Sequence, residues 1–257
     1  MLGSSWRGRS YDLGRMSFAE LWQAYWTYPA IRLYLALGLL SAAVAVWLAA
    51  GWLPSLGAAA LAVLVYPLAE YSIHRFILHA RFLYKTPLTA ALWKRIHFDH
   101  HQDPHDLKVL FGSPANTLPA IVLVTAPLGW LVGGAGGAAS ALAAGFGLFM
   151  FYEFCHCVQH LNVQPRSAYL ARIKQRHLAH HFQDERGNFG ITSHLWDHVF
   201  GTFYADPKAR PRSASVYNLG YDVDEAGRYP WVAKLTGQLP QSRPPTVGEA
   251  AGRGGPA

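Results

Sequence analysis

The sequence predicts an all-α integral membrane protein in which four transmembrane helices form two hairpins and additional helices lie on the cytoplasmic side. Charged residues make up only 14% of the 257-residue chain, against about 25% in an average soluble domain. Asp, Glu, Lys and Arg are absent from residues 33–69 and again from residues 109–152. Each of these stretches is about twice the ~20 residues that a helix needs to cross a bilayer.

The N-terminal segment, residues 1–32, is predicted to be cytoplasmic and to lie at the membrane interface. Ser17 and Glu20 have the spacing of a capping box, a pair that marks the first turn of a helix. The residues that follow are apolar and aromatic. This pattern is typical of an amphipathic helix in the interface, and it fits an ordinary packed helix equally well.

Each uncharged stretch is interrupted by a glycine-containing segment, residues 51–57 in the first and residues 133–137 in the second. Helices end at such segments, so each stretch is expected to form a helical hairpin with an uncharged tip. The four predicted spans are residues 33–52, 56–73, 118–132 and 138–154.

The distribution of basic residues predicts the orientation. Lys and Arg are absent from both hairpin tips but occur in the N-terminal segment, between the hairpins and after the fourth span. The positive-inside rule places these three segments, and therefore the N-terminus, in the cytoplasm. Membrane orientation also accounts for the net charge of +7, so no nucleic acid partner is predicted. Residues 33–242 are expected to form one membrane-embedded domain, and residues 243–257 a disordered tail rich in Pro, Gly and Ala.

Ten of the 13 histidines fall into four clusters, all in segments predicted to be cytoplasmic. Two clusters follow the second and fourth spans, and two end helices whose starts are marked by Thr86-Pro87 and by Pro165-Arg-Ser167. Spacings of three or four place side chains on one helical face. The clusters are His74 and His79; His97, His100 and His101; His156 and His160; and His177, His180 and His181.

So many neighbouring imidazoles indicate a metal site, because protonation would make their packing costly unless a metal ion holds them neutral. Ten ligands exceed the capacity of one four- to six-coordinate ion, which predicts two ions. The spacing alone does not choose the metal. His74 and His79 are five residues apart, which on an ideal helix requires a frayed end or two different ions.

The two halves of the chain resemble each other. An uncharged hairpin is followed by Glu70 or Glu153, a histidine pair, a helix and a histidine triplet. We hypothesise a pseudo-twofold cage to which both halves contribute ligands; convergence on one ligand geometry would produce the same pattern.

At these residues the sequence resembles the fatty acid hydroxylase / sterol desaturase superfamily. The resemblance covers residues 70–202 through EYSIHRFILH, HFDHH, HCVQH, HLAHH and NFGITSHLWDHVFGT, and the EYSIHRF and DPHDLKVLFG segments are most similar to the fatty acid hydroxylase branch. It implies a membrane enzyme whose cytoplasmic-facing dimetal centre uses O2 to hydroxylate or desaturate a lipid. It also implies that the ten clustered histidines hold two Fe ions. Zinc is an expected replacement in purified protein, because it binds such sites more tightly than Fe2+.

Other polar residues near these motifs have two interpretations each. Asp197 is either a carboxylate that fixes the tautomer of a ligand imidazole or a turn residue. Glu70 and Glu153 either support the site or mark the membrane edge. Three histidines outside the ligand motifs are expected at the surface, in a substrate channel or beside a ligand, rather than as ligands: His105, His194 and His198.

The predicted function is hydroxylation of a fatty acyl chain or related lipid, because breaking an unactivated C–H bond requires a redox metal. A carotenoid or a sterol is the alternative substrate. A non-enzymatic membrane metal-binding protein is the alternative class, but a metal carrier would have ionisable residues inside its spans. An external electron donor is also expected, either cytochrome b5, a ferredoxin or a Rieske-type protein, because only 32 residues precede the first span and an iron–sulfur cysteine set is lacking.

Overall fold

The computed structural model describes residues 11–49, 51–206, 209–237 and 239–240. These residues form helices and turns, and the only β-type pairing among them is an isolated bridge between Asp12 and Asp106. The all-α prediction is therefore confirmed for the described part of the chain. The predicted disordered tail, residues 243–257, lies outside the described residues.

The first helix, α1 (Phe18–Thr27), begins with the predicted capping box. The Ser17 side chain accepts a hydrogen bond from the Glu20 backbone, and the Glu20 carboxylate accepts one from the Ser17 backbone. One face of α1 is buried, and the Tyr25 hydroxyl donates to the Met150 carbonyl at 2.6 Å. Trp22 on another face is 50% exposed. The helix is thus packed on one side and presents aromatic surface on the other.

Among the described residues, three segments are long and apolar enough to cross a membrane: Pro29–Leu48, Trp52–Lys85 and Leu107–His160. The first is helix α2 (Pro29–Leu48), and the second begins with α3 (Trp52–Ile73). Helix α2 starts four residues before the predicted span at 33, because Pro29 occupies a first-turn position that proline favours.

The third segment contains α7 (Pro114–His160), whose helical geometry is interrupted at Gly133 and Gly134. Gly134 has φ 57° and ψ −143°, a conformation that favours glycine. A side-chain carbon at Gly129 would collide with the carbonyl of Gly137. Residues before and after the break are therefore in contact, and the break lies within the predicted tip, residues 133–137.

Helices α2 and α3 both pack against α7. Small residues form part of the contact, including a buried cluster of Ala58, Ala62 and Ala141. Small side chains let helix backbones approach closely, as is common in membranes. The outward-facing side chains are large and apolar, and Leu131 is 82% exposed. This combination is what a lipid-facing bundle requires.

The remaining helices form a cap at the end of α3 and α7 where the histidines lie. After α3 come a π-helix (His74–Leu78), a 3-10 helix (Arg81–Lys85), α4 (Pro87–Trp93), a second π-helix (Lys94–Phe98), α5 (Asp99–Gln102) and α6 (Leu107–Leu110). After α7 come α8 (Ala168–Phe182), α9 (Leu195–Val199), α10 (Val223–Arg228) and α11 (Trp231–Thr236).

The predicted helix starts in this cap are confirmed. Thr86 caps α4 by accepting a hydrogen bond from Leu88, and Ser167 caps α8 by accepting one from Leu170. A buried aromatic cluster that includes Tyr84, Trp93 and Tyr221 joins the α4 region to the chain near α10 and α11. This core fixes the cap and with it the helices that carry the histidine triplets.

Candidate metal centre

The structure brings all ten clustered histidines together at the junction of the bundle and the cap. Within each of two groups, the ring nitrogens that face one another all lie within 4.8 Å. The five-histidine group is His100, His156, His160, His177 and His181, and the four-histidine group is His74, His79, His97 and His180. His101 lies between them: it forms a further set with His180 and His181, and its Nε2 is 3.1 Å from His97 Nε2.

His74 and His79 join the same group because the chain between them is a π-helix. The His79 N–H donates to the His74 carbonyl, an i to i+5 bond of 3.2 Å. This bond closes a wider turn than an α-helix does, so residues five apart come to lie nearly above each other. The two arrangements predicted for this pair, a frayed helix end or binding to two different ions, are therefore not needed.

Each group combines residues from both halves of the chain. His100 precedes α7 in sequence but lies with four histidines of α7 and α8. His180 of α8 lies with His74, His79 and His97 from the first half. This exchange is consistent with the hypothesis of a pseudo-twofold cage.

Hydrogen bonds to backbone carbonyls fix the tautomers of three of these imidazoles. The ring nitrogen that points away from the group carries the hydrogen, and the one that points inward has a lone pair. Nδ1 of His74 is 2.5 Å from the Phe189 carbonyl, and Nδ1 of His180 is 2.8 Å from the Gly187 carbonyl. Nδ1 of His101 is 2.8 Å from the carbonyl of Val216. A carbonyl oxygen only accepts, so each Nδ1 carries the hydrogen and each Nε2 presents a lone pair.

Two of these lone pairs, those of His74 and His101, point at His97. Its Nε2 lies 3.0–3.1 Å from Nε2 of His74, His79 and His101, although one ring nitrogen can donate at most one hydrogen. A cation satisfies the whole set. Metal–nitrogen bonds of about 2.1 Å that meet at right angles place neighbouring nitrogens about 3.0 Å apart. The observed separations therefore fit a metal ion.

The five-histidine group fits a metal for a related reason. Nε2 of His160 and Nε2 of His177 are 2.9 Å apart. Both ring nitrogens of His100, His156 and His181 are buried and have no hydrogen-bond partner among the described residues. Buried polar atoms are nearly always satisfied in folded proteins, so these unpartnered nitrogens fit a site that could hold a metal ion.

Burial also sets the protonation state of the histidines that lie outside the candidate spans. Desolvation lowers the pKa of His101 to about 3. Desolvation also lowers the pKa of His97 and His180 well below the usual range, and neighbouring histidines lower it further. These imidazoles are neutral at physiological pH, which is the form that binds metal.

The predicted carboxylates contact backbone rather than imidazole. Asp197 accepts hydrogen bonds from the Phe189 and Gly190 N–H groups. The groups that contact Nδ1 of His74 and of His180 are the carbonyls of Phe189 and Gly187. Glu70 accepts from residues of the same loop. Glu153 instead accepts from the Gly112 N–H at 3.0 Å.

The three remaining histidines lie outside the metal-binding groups found in the described part of the chain. His105 donates through Nδ1 to the His160 carbonyl at 3.0 Å and therefore lies beside a clustered histidine. His194 is buried, and desolvation lowers its pKa to about 4. His198 is exposed and stacks on Phe203 with 3.9 Å between ring centroids.

Sequence reasoning missed the backbone carbonyls that orient the imidazoles, and it also missed Lys174. This buried lysine donates to the carbonyls of Val158, Gln159 and Leu161 at the end of α7. It thereby satisfies carbonyls that the helix end leaves without partners. A basic residue on a helix that follows a span gave no separate signal for this role.

Comparison with known proteins places the chain in a family. The family model for fatty acid hydroxylases matches residues 59–202, more than half of the 257 residues. A dihydroceramide fatty acyl 2-hydroxylase of Arabidopsis thaliana is 33% identical over 188 residues, which cover 69% of this chain and 73% of the relative. Fatty acid 2-hydroxylase of Rattus norvegicus is 31% identical over 158 residues, which cover 60% of this chain and 42% of the relative.

A solved structure, full-length scs7p with only the hydroxylase domain visible, is also similar. It has a TM-score of 0.62 and 26% identity, and the match covers 77% of this chain and 73% of that chain. This chain thus spans less than half of the rat relative but most of the plant relative. By its matched motifs and its fold, the chain belongs to the fatty acid hydroxylase family.

Proposed function

We propose that this protein is a membrane-bound, O2-dependent lipid hydroxylase that acts on a C–H bond of a fatty acyl chain. One observation carries the proposal: two groups of inward-facing imidazoles lie at the end of long apolar helices in a chain of the fatty acid hydroxylase family. Its relatives are named as fatty acid and fatty acyl 2-hydroxylases, which supports hydroxylation beside the acyl carbonyl.

The ten clustered histidines are proposed to hold two iron ions. His101 joins the four-histidine group because its Nε2 lone pair is 3.1 Å from His97 Nε2, which gives each ion five imidazoles. Zinc is an expected replacement in purified protein. When bound, the iron pair supplies the redox chemistry with O2 that breaks an unactivated C–H bond.

The protein's own contribution is to orient the ligands and to exclude water. Nine of the ten clustered histidines are buried and His79 is partly buried, so bulk water has little access to the centre. A dry site protects a reactive centre from side reactions. The apolar helices α3 and α7 lead directly into the histidine-bearing segments, and we propose that an acyl chain reaches the centre from the bilayer along them.

The proposed topology has four spans. The contact between Gly129 and Gly137 across the break in α7 supports two spans in the third segment rather than one. Residues 33–242 then form one membrane domain that follows the interfacial segment 1–32. The positive-inside rule supports a cytoplasmic N-terminus and a cytoplasmic centre.

An external electron donor is part of the proposal, namely cytochrome b5, a ferredoxin or a Rieske-type protein. Exposed basic side chains on the cap support docking of an acidic face. They include Lys85, Lys108, Arg172 and Arg186.

The test is lipid analysis of cells that express the protein. Candidate lipids are supplied, and products heavier by one oxygen are sought by mass spectrometry. The parent should form such a product, and His101→Ala, His160→Ala and His180→Ala should reduce it to background with the protein still expressed. His198→Ala is the matched control, since that ring is exposed and stacks on Phe203, outside both histidine groups. Full activity in the three variants would contradict the proposal.

Two alternatives predict different results in the same experiment. An oxygenated carotenoid or sterol, with unchanged fatty acids, would indicate another substrate of the superfamily. Two bound ions with no lipid product under any condition would favour a non-enzymatic metal-binding protein.

A further inference from the structure

A buried loop between α8 and α9, residues 187–192, is held in place by two carboxylates. The first is Asp197 of α9, whose Oδ1 accepts from the Phe189 N–H and whose Oδ2 accepts from the Gly190 N–H, both at 2.9 Å. The Thr202 hydroxyl donates to Oδ1 at 2.8 Å. Both oxygens of Asp197 therefore receive a hydrogen bond from a backbone N–H.

The second carboxylate is Glu70 of α3, which binds the other end of the loop. Its Oε1 accepts from the Ile191 N–H at 2.6 Å and from the Thr192 N–H at 2.8 Å, and its Oε2 is 2.5 Å from the Thr192 hydroxyl. Four consecutive N–H groups thus point at two ionisable side chains from two different helices. Hydrogen bonds to carboxylates are about twice as strong as those between neutral groups.

The loop carbonyls point the other way, towards the four-histidine group. The Phe189 carbonyl binds Nδ1 of His74, and the Gly187 carbonyl binds Nδ1 of His180. These two bonds fix both the tautomer and the ring orientation of two imidazoles. The loop has little freedom to adjust, because side-chain carbons at Gly187 or Gly190 would collide with neighbouring atoms.

Within the part of the chain that the structure describes, the imidazoles of the five-histidine group have no comparable support. Nδ1 of His160 and Nδ1 of His177 have no hydrogen-bond partner among the described residues, and the same is true of both ring nitrogens of His100, His156 and His181. The two groups are therefore built differently. Among the described residues, the imidazoles that the loop binds belong to the four-histidine group, and the bond that the loop makes to α7 runs from Gln159 Nε2 to the Ile191 carbonyl at 2.8 Å.

We propose that Glu70 and Asp197 are positioning residues that act through the 187–192 loop to hold His74 and His180 for the metal ion of the four-histidine group. The loss of their hydrogen bonds empties that group and leaves the five-histidine group filled. The inference rests on the proposed dimetal centre. It is tested by metal content, so its outcome does not depend on whether a lipid product is found.

The two carboxylates differ in whether an amide side chain at the same position could keep their hydrogen bonds. An Asn at position 197 has one acceptor oxygen, so its NH2 group would face the N–H of Phe189 or Gly190. A Gln at position 70 can keep both backbone bonds on its oxygen and donate from its NH2 group to the Thr192 hydroxyl, which then acts as acceptor. Asp197→Asn should therefore disrupt the loop, whereas Glu70→Gln should preserve it.

The experiment compares full-length variants in detergent, each loaded with iron under the same conditions. Metal per chain is measured by mass spectrometry, and the affinity of each site by competition with a chelator. Asp197→Asn and Glu70→Leu should hold about half of the parent's metal, with an affinity about 10–100-fold weaker at one site. Glu70→Gln should match the parent.

Glu225→Gln is the control, because Glu225 accepts from the Tyr84 hydroxyl at 2.7 Å, outside the loop. A single peak in size-exclusion chromatography at the parent's elution volume shows that a variant is folded. A full metal complement in Asp197→Asn, or the loss of both ions from it, would overturn the proposal. If Asp197→Asn does not fold, the two variants at Glu70 test the proposal by themselves. Equal metal loss in Glu70→Gln and Glu70→Leu would overturn it, because it would show that metal binding depends on the charge of Glu70 and not on its hydrogen bonds.

Discussion

His100 and His180 each belong to the histidine group formed mainly by the other half of the chain. Double substitutions can test this exchange of ligands. His180 and His177 lie on the same helix, but Nε2 of His180 is 3.1 Å from His79 Nε2 and belongs to the four-histidine group. His180→Ala combined with His74→Ala therefore damages one group only. His180→Ala combined with His177→Ala damages both groups, although the two residues are close in sequence.

The expected magnitudes follow from counting ions. Each single variant and the His180/His74 double variant should retain about one ion per chain, because two substitutions in one site remove the same ion. The His180/His177 double variant should retain about none, because substitutions in two independent sites have additive effects. An ion present at ~1,000 times its Kd adds about 4 kcal/mol to the free energy of unfolding. At about 2–4 °C per kcal/mol for a chain of this size, each lost ion should lower Tm by about 8–16 °C.

The assay is metal analysis of the purified variants together with thermal unfolding at fixed free metal. His198→Ala is the control and should keep both ions and the parent Tm. The reasoning is refuted if the His180/His177 pair keeps one ion while the His180/His74 pair keeps none. That result would mean that the ligands are grouped by helix and that the exchange does not occur.

Three further predictions concern the bundle, the cap and the metal. Gly129→Leu should sharply lower the yield of folded protein in size-exclusion chromatography, because its side chain would collide with the Gly137 carbonyl. Gly147→Ala should not, because its side-chain carbon would meet no atom of another described segment within 4 Å. Trp93→Ala, at a fully buried position, should lower the free energy of unfolding in denaturant titrations by about 3–5 kcal/mol; Leu88→Ala, at a position 91% exposed, should change it by less than about 0.5 kcal/mol. A chelator should lower the Tm of the parent but not that of a variant lacking both ions, and equal shifts in the two would contradict a structural role for the metal.

Much of this architecture could be predicted because its signals are local in sequence. The uncharged stretches mark the segments that are long and apolar enough to cross a membrane. The glycines at 133–137 mark the break in α7, because only glycine adopts the conformation of Gly134 easily. The starts of α4 and α8 were predictable because Thr86 and Ser167 cap their own helices. The ten histidines could be found because each cluster keeps a short, regular spacing.

The finer geometry of the site could not be predicted, because it depends on contacts between distant segments. His74 meets the carbonyl of Phe189, which is 115 residues away, and His101 meets that of Val216, also 115 residues away. Every residue except proline offers the same carbonyl, so nothing in the side chains marks these partners. The π-helix at His74–Leu78 was missed for a similar reason, since an ideal α-helix was the only local reference for the spacing of its histidines.

The exchange between groups itself follows from the spacing HxxHH that both triplets share. Residues four apart lie about 40° from each other around an α-helix, whereas adjacent residues lie about 100° apart. His97 and His101 accordingly meet through their Nε2 atoms at 3.1 Å, while His100 turns to the group formed by the second half of the chain. In the second triplet, His180 likewise turns to the group formed by the first half of the chain, whereas His177 and His181 belong to the five-histidine group. Neither half of the chain completes a group alone, so metal binding requires the two halves to be packed together, and the proposed ions in turn stabilise that packing.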